Sequence, residues 1–294
     1  MATILITGCS SGIGLTIALE RARAGQTVYA TMRNPGRAPQ LAEIAAAEGL
    51  ALSVFTLDVN SDESVQNCFA NVRKQGAPID VLINNAGVER HGSVEELPFE
   101  AFRETMETNY FGALRCIREV LPGMRERRSG CIINISSVVG KIACSPLGPY
   151  TASKFALEAI SEALAQEVRP FGIRVAIVQP GIIDTPMARA IENPPPSQYR
   201  QVRQLASLFR ASLSHPTQPS VVADVVRDIL DGESPALRFP AGPDAAPFLG
   251  WRASMTDEQW IDFNSLEDEA WKARVQSDFG LEVSLTNEKA AGQA

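Results

Sequence analysis

The sequence predicts a single doubly wound α/β domain, in which a parallel sheet has helices on both of its faces. Two observations support this prediction. Short apolar runs alternate with longer amphipathic runs from the N-terminus to about residue 185, and a glycine-rich segment directly follows the first apolar run. Because parallel strands need a long crossover connection, usually a helix, this alternation favours a parallel sheet.

The short apolar runs predict strands, and the stretches between them have helical periodicity. The predicted strands are Thr3–Thr7, Thr27–Thr31, Ala51–Leu57, Val81–Asn84, Cys131–Ser136 and Arg174–Val178. The predicted helices are Ile13–Ala24, Ala38–Glu48, Glu63–Lys74, Phe99–Arg127 and Tyr150–Arg169.

The regular alternation ends after about residue 185, where Pro194–Pro196 interrupt the chain. Beyond them we predict two helices, a short last strand and, after a less regular stretch from Pro243, a further helix. These elements are Tyr199–Leu213, Val221–Leu230, Leu237–Phe239 and Asp257–Ala273. We therefore expect one domain over residues 1–285 that includes a helical C-terminal extension, and a disordered tail at residues 286–294.

The bulk composition is that of an ordinary globular protein. The 294 residues are 45% hydrophobic and 21% charged, enough for one large domain. The net charge of −7 is spread along the chain without a basic stripe, so we expect no nucleic-acid partner. No apolar run reaches about 18 residues, so we expect no membrane span.

The cysteines and histidines disfavour a metal site. The five cysteines show no CxxC spacing, and the two histidines, His91 and His215, lie far apart. The residues after Met1 enter a strand pattern at once, without the basic and apolar regions of a signal peptide. With cysteines that we expect to be reduced, these features predict a cytoplasmic protein.

A glycine-rich turn joins the first strand to the first helix and predicts a dinucleotide-binding site. Gly8, Gly12 and Gly14 allow a tight turn and close approach to a pyrophosphate, while the helix offers N–H groups and its positive dipole end. The alternative is a tight turn that packs for its own sake. Further expected contacts in this turn are Ser10, Ser11 and Ile13.

The end of the second predicted strand favours NADP(H) over NAD(H). An acidic residue there would bind the ribose 2′-hydroxyl of NAD, but Ala30–Arg33 contains no carboxylate. Arg33 suits the 2′-phosphate of NADP, and Ser10 could add a hydroxyl donor. The alternative is that Arg33 is a solvated surface charge.

The end of the third predicted strand, Asp58 and Val59, lies at the sheet edge where ligands bind in this fold class. Asp58 could accept a hydrogen bond from the adenine amino group. It could equally cap the next helix, although Ser61 is better placed for that.

Tyr150 and Lys154 form the candidate catalytic pair, since they are four residues apart on one face of a predicted helix. A phenol, with a pKa of about 10, is a poor acid or base at neutral pH, but a nearby ammonium and a cationic nicotinamide would lower that pKa. The phenol could then exchange a proton with a carbonyl or alcohol oxygen, to which Ser137 could also donate. The alternative is a core tyrosine and a solvated lysine.

These residues belong to a wider set of motifs at defined spacing. The set comprises TGCSSGIG at residues 7–14, Asp58-Val59, Asn84–Gly87, Asn109, Ser137, the Tyr150/Lys154 pair, and Pro180-Gly181 followed by Thr185. On these motifs the chain resembles the short-chain dehydrogenases/reductases of the classical type, over about residues 3–190 and more loosely to about 245. Val28–Arg33 and Tyr150–Glu158 are most similar to the NADP-preferring branch of 17β-hydroxysteroid and retinol dehydrogenases.

The resemblance implies a Rossmann-type fold and a role for each matching residue. Tyr150 is expected to be the general acid in reduction and the base in oxidation, with Lys154 binding the nicotinamide ribose and lowering the tyrosine pKa. Ser137 would orient the substrate oxygen, and Asn109 would anchor a water in a proton relay through Lys154. The remaining expected cofactor contacts are Asn85, Ala86 and Gly87 beside the adenosine ribose, and Pro180, Gly181, Ile183 and Thr185 beside the nicotinamide amide.

The resemblance also places the substrate between the loop after Ser137 and the segment after Thr185. That segment belongs to the expected substrate-binding region and C-terminal extension, residues 186–285. The expected lining is mostly apolar, which suits a lipophilic carbonyl compound, although such residues are often ordinary core. His91 follows the Asn84–Gly87 turn and could face the pocket, but we expect it on a surface loop. The expected lining residues are Ile142, Ala143, Cys144, Leu147, Pro149, Met187, Ala190, Ile191, Leu205, Leu208, Phe209, Leu213, Phe248 and Trp251.

The sequence thus predicts an NADP(H)-dependent oxidoreductase that interconverts a lipophilic ketone or aldehyde and its alcohol. A non-catalytic dinucleotide-binding sensor or scaffold is one alternative, and a related epimerase or dehydratase is another. The resemblance further implies a homodimer or homotetramer that pairs through the helices Phe99–Arg127 and Tyr150–Arg169.

Overall fold

Seven parallel strands form one sheet in the structure, a computed structural model that describes residues 2–285. The predicted tail at 286–294 lies outside the described residues. The strands are β1 (Thr3–Thr7), β2 (Thr27–Met32), β3 (Leu52–Thr56), β4 (Val81–Asn84), β5 (Gly130–Ile135), β6 (Ile173–Pro180) and β7 (Arg238–Ala241). Their order, β3-β2-β1-β4-β5-β6-β7, confirms the doubly wound prediction, because the chain reverses its direction across the sheet between β3 and β4.

Helices follow the strands and cover both faces of the sheet. A π-helical turn, Glu107–Gly112, joins the fourth helix to the fifth, so the predicted helix Phe99–Arg127 is continuous but changes its hydrogen bonding midway. The helices are α1 (Gly12–Arg23), α2 (Gln40–Glu48), α3 (Asp62–Arg73), α4 (Phe99–Met106), α5 (Ala113–Arg127), α6 (Gly148–Val168), α7 (Pro186–Ile191), α8 (Arg200–Leu213), α9 (Ser220–Asp231), α10 (Ala245–Ala253), α11 (Asp257–Asn264) and α12 (Asp268–Phe279).

The C-terminal extension is more regular than the sequence pattern predicts. The pattern misses α7 and α10, and the predicted helix Asp257–Ala273 is in fact two helices, α11 and α12. A capping box between Thr256 and Gln259 begins α11. In α10, Pro247 and Gly250 weaken the intrinsic helical preference, so packing on the rest of the protein outweighs local propensity there.

Alternate residues of the strands supply two apolar cores, one on each face of the sheet. In β1, Ile4 and Ile6 belong to the core shared with α1 and α9, whereas Leu5 belongs to the core shared with α3 and α5. In β4, Ile83 and Leu82 divide in the same way. Burial on both faces explains why the strands are continuous apolar runs rather than alternating ones.

Neither a membrane-spanning helix nor a metal-binding cluster occurs in residues 2–285. None of the helices in residues 2–285 has the length and apolar character needed to cross a membrane. Within the same residues no group of three or more His, Cys, Asp or Glu side chains could bind a metal ion. All five cysteines are free thiols, and only Cys144 is not fully buried.

Phe69 provides a test of the α3 side of the core, because its side chain is fully buried there. Phe69→Ala should lower the free energy of unfolding by about 3–5 kcal/mol, through lost burial and the cavity left behind. Urea denaturation followed by circular dichroism measures this. Phe99→Ala is the matched control, since Phe99 is 66% exposed and its removal should cost less than about 1 kcal/mol. Equal losses would contradict the described packing.

Candidate active site

One cleft of about 400 Å³ opens at the carboxyl ends of the central strands and contains most of the predicted site residues. This is where a doubly wound sheet binds ligands, because the strand order reverses beside β1. The predicted cofactor and catalytic residues that line the cleft are Gly8, Ser10, Ser11, Gly12, Ile13, Arg33, Asp58, Val59, Asn85, Ala86, Gly87, Ser137, Tyr150, Lys154, Pro180, Gly181, Ile183 and Thr185.

The turn after β1 is packed tightly against the chain that leaves β4. Gly8 has a φ of +75°, and a Cβ there would lie 2.7 Å from the Cα of Ala86. The Asn85 amide donates to the carbonyl oxygens of Thr7 at 2.9 Å and Gly8 at 3.0 Å. Gly14 does not line the cleft; a Cβ on Gly14 would lie 2.4 Å from Asn85 Nδ2, so its small size lets α1 pack beside that amide.

The N-terminus of α1 faces the cleft and fits a phosphate group. Ser11 precedes the helix in an extended conformation, and its side chain makes no capping hydrogen bond. No acidic residue lies in the first turn. The first N–H groups and the positive dipole end of α1 are therefore available to a pyrophosphate.

The ends of β2 and β3 present one cation and one carboxylate to the cleft. The exposed side chain of Arg33 makes no hydrogen bond or ion pair with any residue in the range 2–285. Asp58 Oδ1 accepts from the Asn60 N–H at 3.0 Å. Ser61, as predicted, caps α3 by accepting from the Ser64 N–H at 3.1 Å, so Asp58 is not needed as the cap.

Tyr150, Ser137 and Lys154 meet in the middle of the cleft. We call the part lined by the turn before α1, Arg33 and Asp58 the nucleotide half, and the part lined by α7, α8 and α10–α12 the apolar half. Lys154 is buried, its Nζ donates to the carbonyl oxygen of Ile135 at 2.8 Å, and the same nitrogen lies 5.6 Å from the centre of the Tyr150 ring. Ser137 Oγ donates to the carbonyl oxygen of Pro180 at 3.4 Å. An ammonium, a phenol and a hydroxyl thus share one partly apolar site.

Burial sets the acidities of this pair. It raises the pKa of Tyr150 well above its usual value, the charge of Glu89 adds to the rise, and the neighbouring Ser137 hydroxyl opposes it. Burial therefore dominates the pKa of Tyr150, and the expectation that Lys154 and a cationic nicotinamide lower it stays a prediction. Burial also lowers the pKa of Lys154 to about 8, against the opposing charge of Glu158.

Asn109 lies behind the cleft, in the π-helical turn, and does not line it. Its amide donates to the Val88 carbonyl oxygen and to Ser153 Oγ, each at 2.9 Å, and its Oδ1 accepts from the Val88 N–H at 2.8 Å. Ser153 in turn donates to the carbonyl oxygen of Tyr150 at 2.7 Å. Asn109 therefore links the loop after β4 to the start of α6.

The apolar half of the cleft contains many of the residues expected to contact substrate. The expected residues that line it are Ile142, Cys144, Leu147, Met187, Ile191, Leu205, Leu208, Phe209, Phe248 and Trp251, whereas Ala143, Pro149, Ala190 and Leu213 do not. The sequence prediction missed a set from α11 and α12, which are Trp260, Phe263, Trp271, Val275 and Phe279. Clustered aromatic residues in an amphipathic C-terminal stretch were the available signal.

The loop after β4 carries a second feature that the sequence prediction missed. Glu89 lines the cleft, and its Oε2 lies 3.0 Å from Nδ1 of His91. The expectation of a surface histidine is wrong, because the His91 side chain is only 14% exposed and packs beside the cleft. A carboxylate directly after an NNAG turn was the signal for Glu89.

Comparison with known proteins identifies the family. A family model described as short chain dehydrogenase matches residues 2–195. The chain belongs to the short-chain dehydrogenase family. It is therefore an oxidoreductase, and solved members of similar fold include complexes with NADPH and with NAD.

Similar proteins extend the match beyond residue 195. The uncharacterized oxidoreductase YusZ of Bacillus subtilis is 36% identical over 266 residues, covering 87% of this dehydrogenase and 94% of the relative. Retinol dehydrogenase 8 of Bos taurus is 37% identical over 267 residues, 85% of each chain. A short-chain dehydrogenase structure from Streptomyces avermitilis aligns with a TM-score of 0.75 and 32% identity over 94% of this chain and 95% of that one.

Gly14→Ala tests the packing that shapes the nucleotide turn. A Cβ there would lie 2.4 Å from Asn85 Nδ2 and 2.5 Å from the Gly8 carbonyl oxygen, so Asn85 or the turn must move. Unfolding free energy should fall by about 1–3 kcal/mol, with weaker nucleotide binding measured by NADPH fluorescence.

Gly250→Ala is the matched control, because it is also helical and a Cβ there meets nothing within 4 Å. It should leave nucleotide binding unchanged and raise stability by up to about 1 kcal/mol. If both variants bind nucleotide like the wild type, Gly14 has no part in shaping the turn.

Proposed function

We propose that this dehydrogenase interconverts a lipophilic ketone or aldehyde and its alcohol with NADP(H). The observation that carries the proposal is the position of Tyr150, whose phenol lies with Ser137 and Lys154 between the nucleotide half and the apolar half of one cleft. A carbonyl oxygen bound there would reach a proton donor while its carbon faces the nucleotide.

The chain supplies the proton in this reaction. When bound, NADPH would supply the hydride for the carbonyl carbon, and NADP⁺ would accept one in the reverse direction. Tyr150 donates its hydroxyl proton to the substrate oxygen in reduction and takes it back in oxidation. The phenol is protonated at neutral pH and can donate, but burial raises its pKa and by itself makes it a weaker acid; the Lys154 ammonium and the positive charge that would develop on the nicotinamide would oppose this rise. Ser137 donates a hydrogen bond to the same oxygen.

Lys154 would position the nucleotide. Its ammonium has three N–H donors, and the contact with the Ile135 carbonyl oxygen uses one of them. The remaining donors suit the hydroxyls of the nicotinamide ribose. Asn109 stabilises the start of α6, which carries Tyr150 and Lys154, because it bonds to both the Val88 backbone and Ser153. The proposed water relay through Lys154 would pass near Asn109.

NADP(H) is the proposed cofactor because the end of β2 carries a cation that has no partner in the described part of the chain. Arg33 lines the cleft and is exposed, and the strand that precedes it ends without a carboxylate. A guanidinium can bind a phosphate through paired hydrogen bonds, whereas a ribose 2′-hydroxyl gains little from it. Ser10, also at the cleft, offers a second donor.

The lipophilic substrate class rests on the other half of the cleft. Aliphatic residues of α7 and α8 and aromatic residues of α10, α11 and α12 line it. Burying an apolar substrate against such a lining gains roughly 25 cal/mol per Å² of apolar surface removed from water. The retinol dehydrogenase named among the similar proteins agrees with this class.

The assembly and location remain proposals of the same kind. A homodimer or homotetramer through α4–α5 and α6 is supported by Phe111 and Phe155, which are 43% and 40% exposed on the helical segments concerned. Cytoplasmic localisation stays a prediction from the sequence.

Tyr150→Phe tests the proposed acid. Removing only the hydroxyl should reduce kcat for ketone or aldehyde reduction about 100-fold to 10,000-fold, while NADPH binding changes little. Turnover is followed by NADPH absorbance with a panel of long-chain carbonyl compounds, and binding by NADPH fluorescence. Tyr29→Phe, in β2 and outside the cleft, is the matched control and should keep its kcat.

Wild-type rates in Tyr150→Phe would refute the tyrosine mechanism. If the wild type binds nucleotide but reduces no carbonyl compound, the alternative of a non-catalytic dinucleotide-binding sensor or scaffold is favoured instead.

Arg33→Ala tests the cofactor preference. Loss of a guanidinium–phosphate contact should weaken NADPH binding about 10-fold to 100-fold and leave NADH binding nearly unchanged, by fluorescence titration with both nucleotides. Arg73→Ala removes a surface arginine paired with Glu119 and is the control. An equal loss for both nucleotides in Arg33→Ala would overturn the assignment.

A further inference from the structure

Glu89 lines the cleft, and one of its carboxylate oxygens has no hydrogen-bond partner in the described part of the chain. The residue is 9% exposed and its side chain 5% exposed, yet it lines the cleft. Oε2 pairs with His91, but Oε1 is buried and has no hydrogen-bond partner among residues 2–285. A buried acceptor without a partner is destabilising, and more so when it is charged.

The loop holds Glu89 in place on both sides. On one side, the backbone N–H and carbonyl of Val88 both bond to the Asn109 amide. On the other side, the Gly92 N–H donates to the Pro146 carbonyl oxygen at 2.9 Å. The side chain therefore cannot readily leave the cleft, and a fixed acceptor costs little entropy when a ligand binds it.

Glu89 lies close to the reacting group. Asn109 joins the loop after β4 to the start of α6, because it bonds to both Val88 and Ser153, and Ser153 in turn donates to the Tyr150 carbonyl oxygen. The charge of Glu89 also contributes to the raised pKa of Tyr150. Glu89 is thus on the side of the cleft where the carbonyl would bind, not at the far end of the apolar half.

The two glutamine side chains of the apolar half are committed to the protein. The Gln204 amide donates to the Leu266 carbonyl oxygen and to Asp268, and the Gln201 amide donates to the Asn264 carbonyl oxygen. Glu89 differs from them, because it is an anionic acceptor with an oxygen to spare. Its natural complement is a hydrogen-bond donor on the substrate.

We propose that Glu89 determines specificity by accepting a hydrogen bond from a hydroxyl or amino group that the substrate carries next to its reacting carbonyl. This inference rests on the proposed function and narrows it. The substrate is then an apolar-tailed hydroxy ketone or amino ketone, with the tail against the aromatic residues of α10–α12 and the polar end between Tyr150 and Glu89.

A set of three ketones tests the proposal in the wild-type enzyme without any variant. They are a long-chain methyl ketone, the same compound with a hydroxyl on the methyl carbon, and the same compound with an amino group there. The value of kcat/KM for NADPH-dependent reduction should favour one or both donor-bearing ketones by about 10-fold to 100-fold, as expected for a hydrogen bond to a charged group. The two donor arms separate the hydroxyl source from the amino source.

Glu89→Leu should abolish the preference. Glu89→Gln keeps an acceptor oxygen but removes the charge, so it should reduce the preference for the amino ketone more than that for the hydroxy ketone. Glu104→Leu is the matched control, since Glu104 is 45% exposed, pairs with Arg90 and lies outside the cleft. It should keep the wild-type preference.

Binding gives a readout that does not depend on turnover. Trp251 and Trp260 line the cleft, so quenching of their fluorescence by the corresponding alcohols should show the same order of affinity. Reduction of all three ketones with equal kcat/KM would overturn the role of Glu89 and leave the proposed function standing, as would a preference that persists in Glu89→Leu. If no ketone is reduced, the proposed function fails. The affinities of the three alcohols, measured by quenching, then decide alone whether Glu89 binds a donor. Equal affinities in that case would overturn the role of Glu89 as well.

Discussion

The site depends above all on how α6 is fixed against the ends of the strands. This helix positions Tyr150 and Lys154, and it buries polar side chains that must find partners, since an unpaired buried polar group costs about 1–3 kcal/mol. The partners come from different neighbours, so a shift of α6 by one residue would break several bonds at once. They are Asn109 for Ser153, Asn134 for Ser161, and Gln179 with Arg238 for Glu158.

The same packing divides the cleft into two chemically different halves. On one side, backbone N–H groups at the start of α1, the uncommitted Arg33 and the tight turn at Gly8 suit an anionic nucleotide. On the other side, helices of the C-terminal extension supply an apolar lining. Tyr150 lies at the boundary, where burial raises the pKa of its phenol. Glu89 adds a carboxyl group to the otherwise uncharged lining of the second half, and the proposed selectivity of the pocket depends on it.

The strands and the nucleotide motifs were predictable because their signals are local. A parallel strand buried on both faces is a continuous apolar run, and a tight turn followed by a helix needs glycines at fixed positions. Features that depend on packing between distant segments of the chain were not predictable. The sequence pattern misses α7 and α10, and the aromatic residues of α11 and α12 join the cleft only because these helices fold back onto it. The burial of His91 was not predicted, because the exposure of a loop side chain depends on tertiary packing and not on residue type.

The sequence by itself determined the doubly wound sheet, the family and the residues that line the nucleotide half, because spacing along the chain encodes each of them. Only the tertiary structure decided the acidity of the catalytic pair, whose pKa values respond to burial and to a charge on another loop. It also decided that Asn109 and Gly14 act from outside the cleft, and that Glu89, which lines it, keeps an oxygen with no partner among residues 2–285. Burial and pairing depend on which segments meet in space, and no local pattern records that.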